Sequence, residues 1–237
     1  MHTFKGVLIR TVKYGDSSLI LTAFTEEAGV KSFITSRKKS KSKSNTALLQ
    51  PLAIIEIAAY HSKGDLHRAR EIKNAHLMLD IRNNMLKGAI VQFLNELLVH
   101  VLNEPDPYPQ LYHFIVNSLT ILETADEFAN FHLVFLIQMA GILGIHPDNN
   151  FCPETPVFDL QEGRYVSKTE TTDTRLPDEL NQSWSQLIDC TYESAPTFTP
   201  GIEKRRALLR ELVRYYHLHA NCPAELRSLE VLEEIFN

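Results

Sequence analysis

Residues 4–37 read "FKGVLIRTVKYGDSSLILTAFTEEAGVKSFITSR". Three runs rich in Val, Ile, Leu, Phe and Thr are separated by Gly-Asp-Ser-Ser and Glu-Glu-Ala-Gly, both of which read as tight turns. The stretch predicts three antiparallel strands in succession. Two more strand-like runs follow, "PLAIIEIAAY" (51–60) and "LHRAREIK" (66–73), joined by the turn "HSKGD". Five short strands can close into a small barrel, and the OB-fold, with its long connection between strands three and four, is one such solution.

Beyond residue 80 the periodicity changes. Met85, Ala89, Phe93, Leu94, Leu97, Leu98, Val101 and Leu102 recur every three or four positions, the signature of one helix face. "EPDPYP" (104–109) ends that helix and "QLYHFIVNSLTILETA" begins another. A third, over 127–145, is apolar nearly all round and is expected at the centre of its domain. Its most apolar stretch, 131–145, is shorter than the roughly 18–20 residues of a membrane span and contains His132 and Gln138. Helical patterns resume at 179–189, 201–219 and 224–236. The fold class expected is α+β and multidomain: an OB barrel over 1–78 and a mostly α-helical domain over 79–237, the latter interrupted near 150–175 by a small hairpin insertion. Core packing is expected for Trp184, Tyr215 and Tyr216.

The 237 residues have an ordinary globular composition, 44% hydrophobic and 22% charged. Three widely spaced cysteines indicate no disulfide framework, and "MHTFKGVLIR" lacks the features of a secretory signal. A cytoplasmic protein is expected. The net charge of −5 conceals an asymmetry: residues 1–80 carry 13 Lys and Arg against 7 Asp and Glu, the remainder 11 against 22. The first part would attract a polyanion and the second would not. Much of the positive charge lies in "SRKKSKSKSN" (36–45), where Arg37, Lys38, Lys39, Lys41 and Lys43 occur without an acidic neighbour. An isolated charge run is usually a solvated loop. Beside an OB groove, however, a cationic loop suits the phosphates of a nucleic acid. Alternation along the third strand puts Lys31, Phe33, Thr35 and Arg37 on one face, with Phe33 either stacking a base or filling the core. Arg68 and Arg70 pair similarly on the fifth strand, and Arg10 on the first completes the DNA-binding candidates.

Catalytic readings fare less well. Ser17 in "GDSS" resembles the turn of certain hydrolases, but the late Asp-x-x-His pair and the α/β sheet such enzymes need are missing, leaving an ordinary turn. Neither phosphate-binding glycine motif is present, and His217, His219 and Cys222 lack metal-site spacing. No catalytic site, metal or cofactor is expected. Arg206, Arg210 and Arg214 recur every fourth residue and share a helix face. They form either a solvated face paired with Glu203 and Glu211 or a grip for an acidic peptide or a second nucleic-acid segment.

Several of these segments resemble the RecO family of recombination mediators. "GVLIRTVKYGDSSLILTAFTEEAGVKSFITSRKKSKS" (6–42) is similar in its G-V-L-x-R strand, its Y-G-D-S turn, its L-T-x-F-T strand and its basic loop. "LLQPLAIIEIAAYHSKGDLHRARE" (48–71) looks like the family's L-Q-P strand and G-D-L-x-R hairpin. "GILGIHPD" (141–148) and "LRSLEVLEEI" (226–235) are similar in the second domain. The resemblance implies DNA repair and recombination after DNA damage, with binding to single- and double-stranded DNA, strand annealing, and nucleoid association. It further implies work with RecR, and in some members RecF, to load RecA onto strands coated by single-strand-binding protein, whose acidic C-terminal tail the helical domain receives. Many members hold zinc with two CxxC pairs after the "LG" helix end. Here only Cys152 stands in such a place, so the hairpin is expected without metal and held by packing alone. The rival to DNA binding is an OB-fold scaffold that binds proteins.

Overall fold

The computed structural model describes residues 1–36, 49–60, 64, 66–102, 106–170 and 173–236. Two compact units emerge, Met1–Thr124 and Ala125–Asn237. The first thus includes three helices as well as the barrel, whereas the change in sequence periodicity pointed to a boundary at 78/79.

Strands β1 (His2–Tyr14), β2 (Ser18–Thr25), β3 (Gly29–Ser36), β4 (Ile54–Tyr60) and β5 (Leu66–Asn74) form a closed barrel in the order β1-β2-β3-β5-β4, with β3 and β5 parallel. This is the OB-fold topology. Strand β1 serves both sides of the closure: residues 2–7 pair with β4, residues 6–14 with β2, and a bulge between Leu8 and Arg10 breaks the register. Period-two alternation sends Phe4, Leu8, Leu19, Leu21, Ala23, Phe33, Ile55, Ile57 and Ala59 into the interior. The β2–β3 turn is closed by Thr25, whose hydroxyl donates to Gly29 O (2.7 Å) and accepts from Ala28 N (3.2 Å). Gly29 there has φ +65°, a conformation that favours glycine.

On the way back to β4, Leu52 takes the same left-handed conformation (φ +56°), rare for a branched side chain. It is held there on both sides: its side chain is buried, its N–H donates to Leu8 O (2.7 Å), and Leu8 N–H donates to Ala53 O (2.9 Å).

Helices α1 (Leu79–Asn83), α2 (Met85–Val101) and α3 (Pro109–Thr124) complete the first unit. Asn84 caps α2 by accepting from Leu86 N and Lys87 N. The Glu123 carboxylate accepts from Asp80 N and Ile81 N at 2.8 and 2.9 Å, tying α3 to the start of α1. Lys87 is buried, and its ammonium is met by the Asp80 carboxylate and by Glu123 O. Phe24 packs on Tyr112, and Glu26 pairs with His113 at 3.1 Å, which secures α3 against the β2–β3 end of the barrel. Burial, then the charges of Glu26, Glu27 and Glu56, pushes the Tyr112 phenol up to about 12.

In the second unit α4 (Phe131–Ile142) is almost entirely buried, as its all-round apolar sequence requires. The other elements are β6 (Val157–Asp159), β7 (Arg164–Val166), α5 (Asn181–Ile188), α6 (Ile202–His219) and α7 (Arg227–Ile235). Trp184, Tyr215 and Tyr216 are core residues, with Tyr216 donating to Leu136 O and Tyr215 to Ile145 O. Asn130, before α4, accepts from Arg205 Nε and donates to Ala195 O and Phe198 O. No described helix is long and apolar enough to cross a membrane.

The β6–β7 hairpin corrects one expectation. It is held by directed hydrogen bonds as well as packing. Asn150 grips Tyr165 at both N (2.7 Å) and O (2.9 Å), Asn181 accepts from Phe158 N (2.7 Å), and Tyr165 donates to Asn181 O (2.8 Å). Asp159 accepts from Gln161 N, Glu162 N and the Thr174 hydroxyl. These residues do not suit a zinc ion. Cys152 Sγ lies 3.1 Å from the Thr155 hydroxyl, and no cluster of three His, Cys, Asp or Glu with metal-site geometry occurs among the described residues.

Candidate nucleic-acid interface

Strand register places three rows of side chains across the outside of the barrel. The first runs Arg10–Thr22–Ser32–Leu66, the second Val12–Ile20–Ile34–Arg68–Tyr60, and the third Tyr14–Ser18–Ser36. Their outward direction follows from parity, because the intervening positions Leu19, Leu21, Phe33 and His67 are buried within. A 3.5 Å contact between the Thr22 and Ser32 hydroxyls agrees with the register. No acidic residue occurs in the three rows. Arg10 and Arg68 are exposed, and neither forms an ion pair among the described residues.

The predicted residues divide into three groups. Arg10 and Arg68 reach the outer face. Arg70 is exposed too; it falls at the register shift opposite Ala58 and Ala59, with a guanidinium nitrogen 3.5 Å from Met1 Sδ. Phe33 has no exposed surface: it sits inside the barrel 5.3 Å from the Phe4 ring and 5.7 Å from His67. Alternation correctly put Lys31, Phe33 and Thr35 on one face, but that face is the inner one. Phe33 therefore cannot stack a base, and half-buried Lys31, paired with buried Ala23, is not part of the outer rows. Arg37, Lys38, Lys39, Lys41 and Lys43 lie outside the described residues. The chain enters their segment from Ser36, beside Ser18 and Tyr14.

Two residues of this face were missed. Tyr14 (58% exposed) and Tyr60 (51%) each end a strand next to a connecting loop. Sequence phase offered a signal for Tyr60 alone, which is out of step with inward Ile57 and Ala59. Tyr14 shares the parity of inward Phe4 and Leu8, and the bulge between Leu8 and Arg10 turns it to the other side.

The arginine stripe on α6 is also corrected. Arg210 makes a two-pronged pair with the Glu233 carboxylate at 2.7 and 2.6 Å. Arg206 donates to Glu233 O (2.7 Å) and approaches Glu203. Arg214 engages Glu211 and Asp173 O. The stripe fastens α7 and the chain near residue 173 to α6, so its charges are already committed within the chain. Ser17 lies in the β1–β2 turn, and among the described residues it makes no hydrogen bond to a histidine.

Fold and surface together define an OB-barrel protein in which three outward rows carry Arg10 and Arg68 and no acidic residue, joined in sequence to a second, helical unit. Residues 1–78 match the model of the recombination protein O N-terminal domain, and residues 82–170 that of its C-terminal domain. Proteins called DNA repair protein RecO are similar along nearly their whole length: 35% identical in Flavobacterium psychrophilum, 33% in Flavobacterium johnsoniae and 32% in Phocaeicola vulgatus, each over 98% of both chains. The chain belongs to the RecO family.

Proposed function

We propose that this protein is a DNA-binding mediator of recombinational repair that works without a catalytic site of its own. The observation that carries the reading is the outer face of β2 and β3, which holds no acidic residue and is flanked by Arg10 and Arg68, together with the basic run that follows Ser36 in the sequence. Phosphates meeting these cations would release condensed counterions, which gives affinity with little sequence preference. Kinship with proteins called DNA repair protein RecO supports the same assignment. Strand annealing follows if the barrel holds one strand while its bases stay free to pair. Loading of RecA onto strands coated by single-strand-binding protein, with RecR and in some members RecF as partners, is the family role into which this chain fits. The acidic helical unit is then the part that meets proteins, including the tail of the coating protein, through a surface other than the committed α6 stripe.

The test is a titration of a labelled oligonucleotide with the whole chain at several salt concentrations. The expected result is a linear fall of log K with log salt, with a slope of about 0.7 per phosphate contacted on a single strand. A barrel that serves only as a protein scaffold predicts no salt-dependent retention at all.

A further inference from the structure

We propose that Tyr14 and Tyr60 are base-stacking residues that make the barrel's outer face select single-stranded over double-stranded DNA. The inference rests on the DNA-binding reading above and adds the strand form that the site takes.

The barrel strands contain five aromatic residues, and burial sorts them by type. Phe4, Phe24 and Phe33 are 9%, 2% and 0% exposed, whereas both tyrosines are more than half exposed. Tyr60 follows fully buried Ala59, so parity turns its ring outward, while Tyr14 pairs with Ser18 at the end of a run, residues 10–14, that is exposed at every position. A phenol tolerates water at its hydroxyl while its ring keeps a flat apolar surface, which suits a solvent-facing stacking residue.

Register then gives the path between them. Tyr60 neighbours Arg68, and the row continues through Ile34 and Ile20 to Val12, one outward position short of Tyr14 on the same strand. Four strand steps of about 4.8 Å make this path, followed around the curve of the barrel wall as far as Val12, about 19 Å long. That length suits the short end of the range for OB barrels, about four nucleotides or slightly more. Its floor is apolar at Ile20, Ile34 and Val12 and cationic at Arg68, with Arg10 in the adjoining row. Such a surface can meet bases and phosphates together. Unpaired bases expose their faces to the tyrosines and the aliphatic floor. A duplex keeps its bases stacked inside and offers these rings only phosphate and sugar. The arginines serve both forms of DNA, and the tyrosines serve one.

The experiment compares Tyr14→Ala, Tyr60→Ala, the double variant and the two Tyr→Phe variants. Each full-length protein is titrated by anisotropy against a labelled 20-nucleotide oligothymidine and a 20-base-pair duplex at one salt concentration. Thermal melting serves as the check on folding. Each alanine is expected to weaken oligothymidine binding about tenfold, and the pair more, with duplex affinity within about twofold of wild type. Phenylalanine should preserve both affinities. Alanine variants that keep oligothymidine affinity, or lose both forms equally, overturn the stacking assignment while DNA binding stands. A wild-type protein that binds neither form overturns the DNA-binding reading and this inference with it.

Discussion

Two sets of arginines in this chain look alike in sequence and differ in what they touch. On α6, Arg206, Arg210 and Arg214 recur every fourth residue, and each is engaged by a carboxylate or carbonyl of its own unit. On the barrel, Arg10 and Arg68 lie on different strands, 58 positions apart in sequence, and register places them in adjoining outward rows of the barrel wall. No acidic group pairs with them among the described residues. The contrast teaches that regular spacing on a helix reports a shared face, while availability depends on what packs against it. The periodic set is a fastening, and the scattered set has no acidic partner among the described residues.

The largest effect should come from the basic segment. Replacing Arg37, Lys38, Lys39, Lys41 and Lys43 with alanine is expected to lower single-strand affinity at low salt by on the order of a hundredfold, and to reduce the slope of log K against log salt by about three. Matched titrations would read both, and an unchanged affinity and slope would remove the segment from the site.

The helical unit should respond to acid. His132 of α4 is buried with its ring 5.8 Å from that of Phe236, its Nδ1 has no hydrogen-bond partner among the described residues, and burial, then Arg205, holds its pKa down to about 3. Its folded value lies below the unfolded one near 6.5, so the unfolded chain takes up the proton first. Stability is therefore undiminished above about pH 6.5 and falls as the pH drops below it, by about 2–3 kcal/mol over two pH units. Denaturant melts at pH 7 and 4.5 should show the loss, and His132→Phe should shrink it. Equal pH dependence in the two proteins would assign acid sensitivity elsewhere.

A smaller effect is expected at the fastening. Arg210→Ala should cost about 1 kcal/mol of stability, because a partly exposed ion pair contributes little even with two-pronged geometry, and DNA affinity should stay unchanged. A loss of oligonucleotide binding without a loss of stability would reverse the comparison between the two arginine sets.

The barrel was legible because alternation, turn residues and the long third connection all pointed the same way. The central helix was legible from its unbroken apolar run. Alternation alone could not tell the inside of a closed barrel from the outside. It grouped Lys31 with Phe33 correctly yet left open which way both faced, and only closure through β1 and β4 decides that. Tyr14 was hidden by the bulge after Leu8, and its link to Tyr60 runs through pairings between strands far apart in sequence. The hairpin at 157–166 was readable from its turn. Its hold by Asn150 and Asn181 was not, since Asn181 reaches it from α5.

The central claim is that polyanion binding belongs to the exposed barrel arginines and not to those on α6. The most direct test is the salt slope of oligothymidine binding for Arg10→Ala/Arg68→Ala beside Arg210→Ala, each in the full chain. The account predicts a slope lower by about 1.4 for the barrel pair and unaltered for the helix variant. A slope unaltered for the barrel pair, or lowered only for the helix variant, would contradict it.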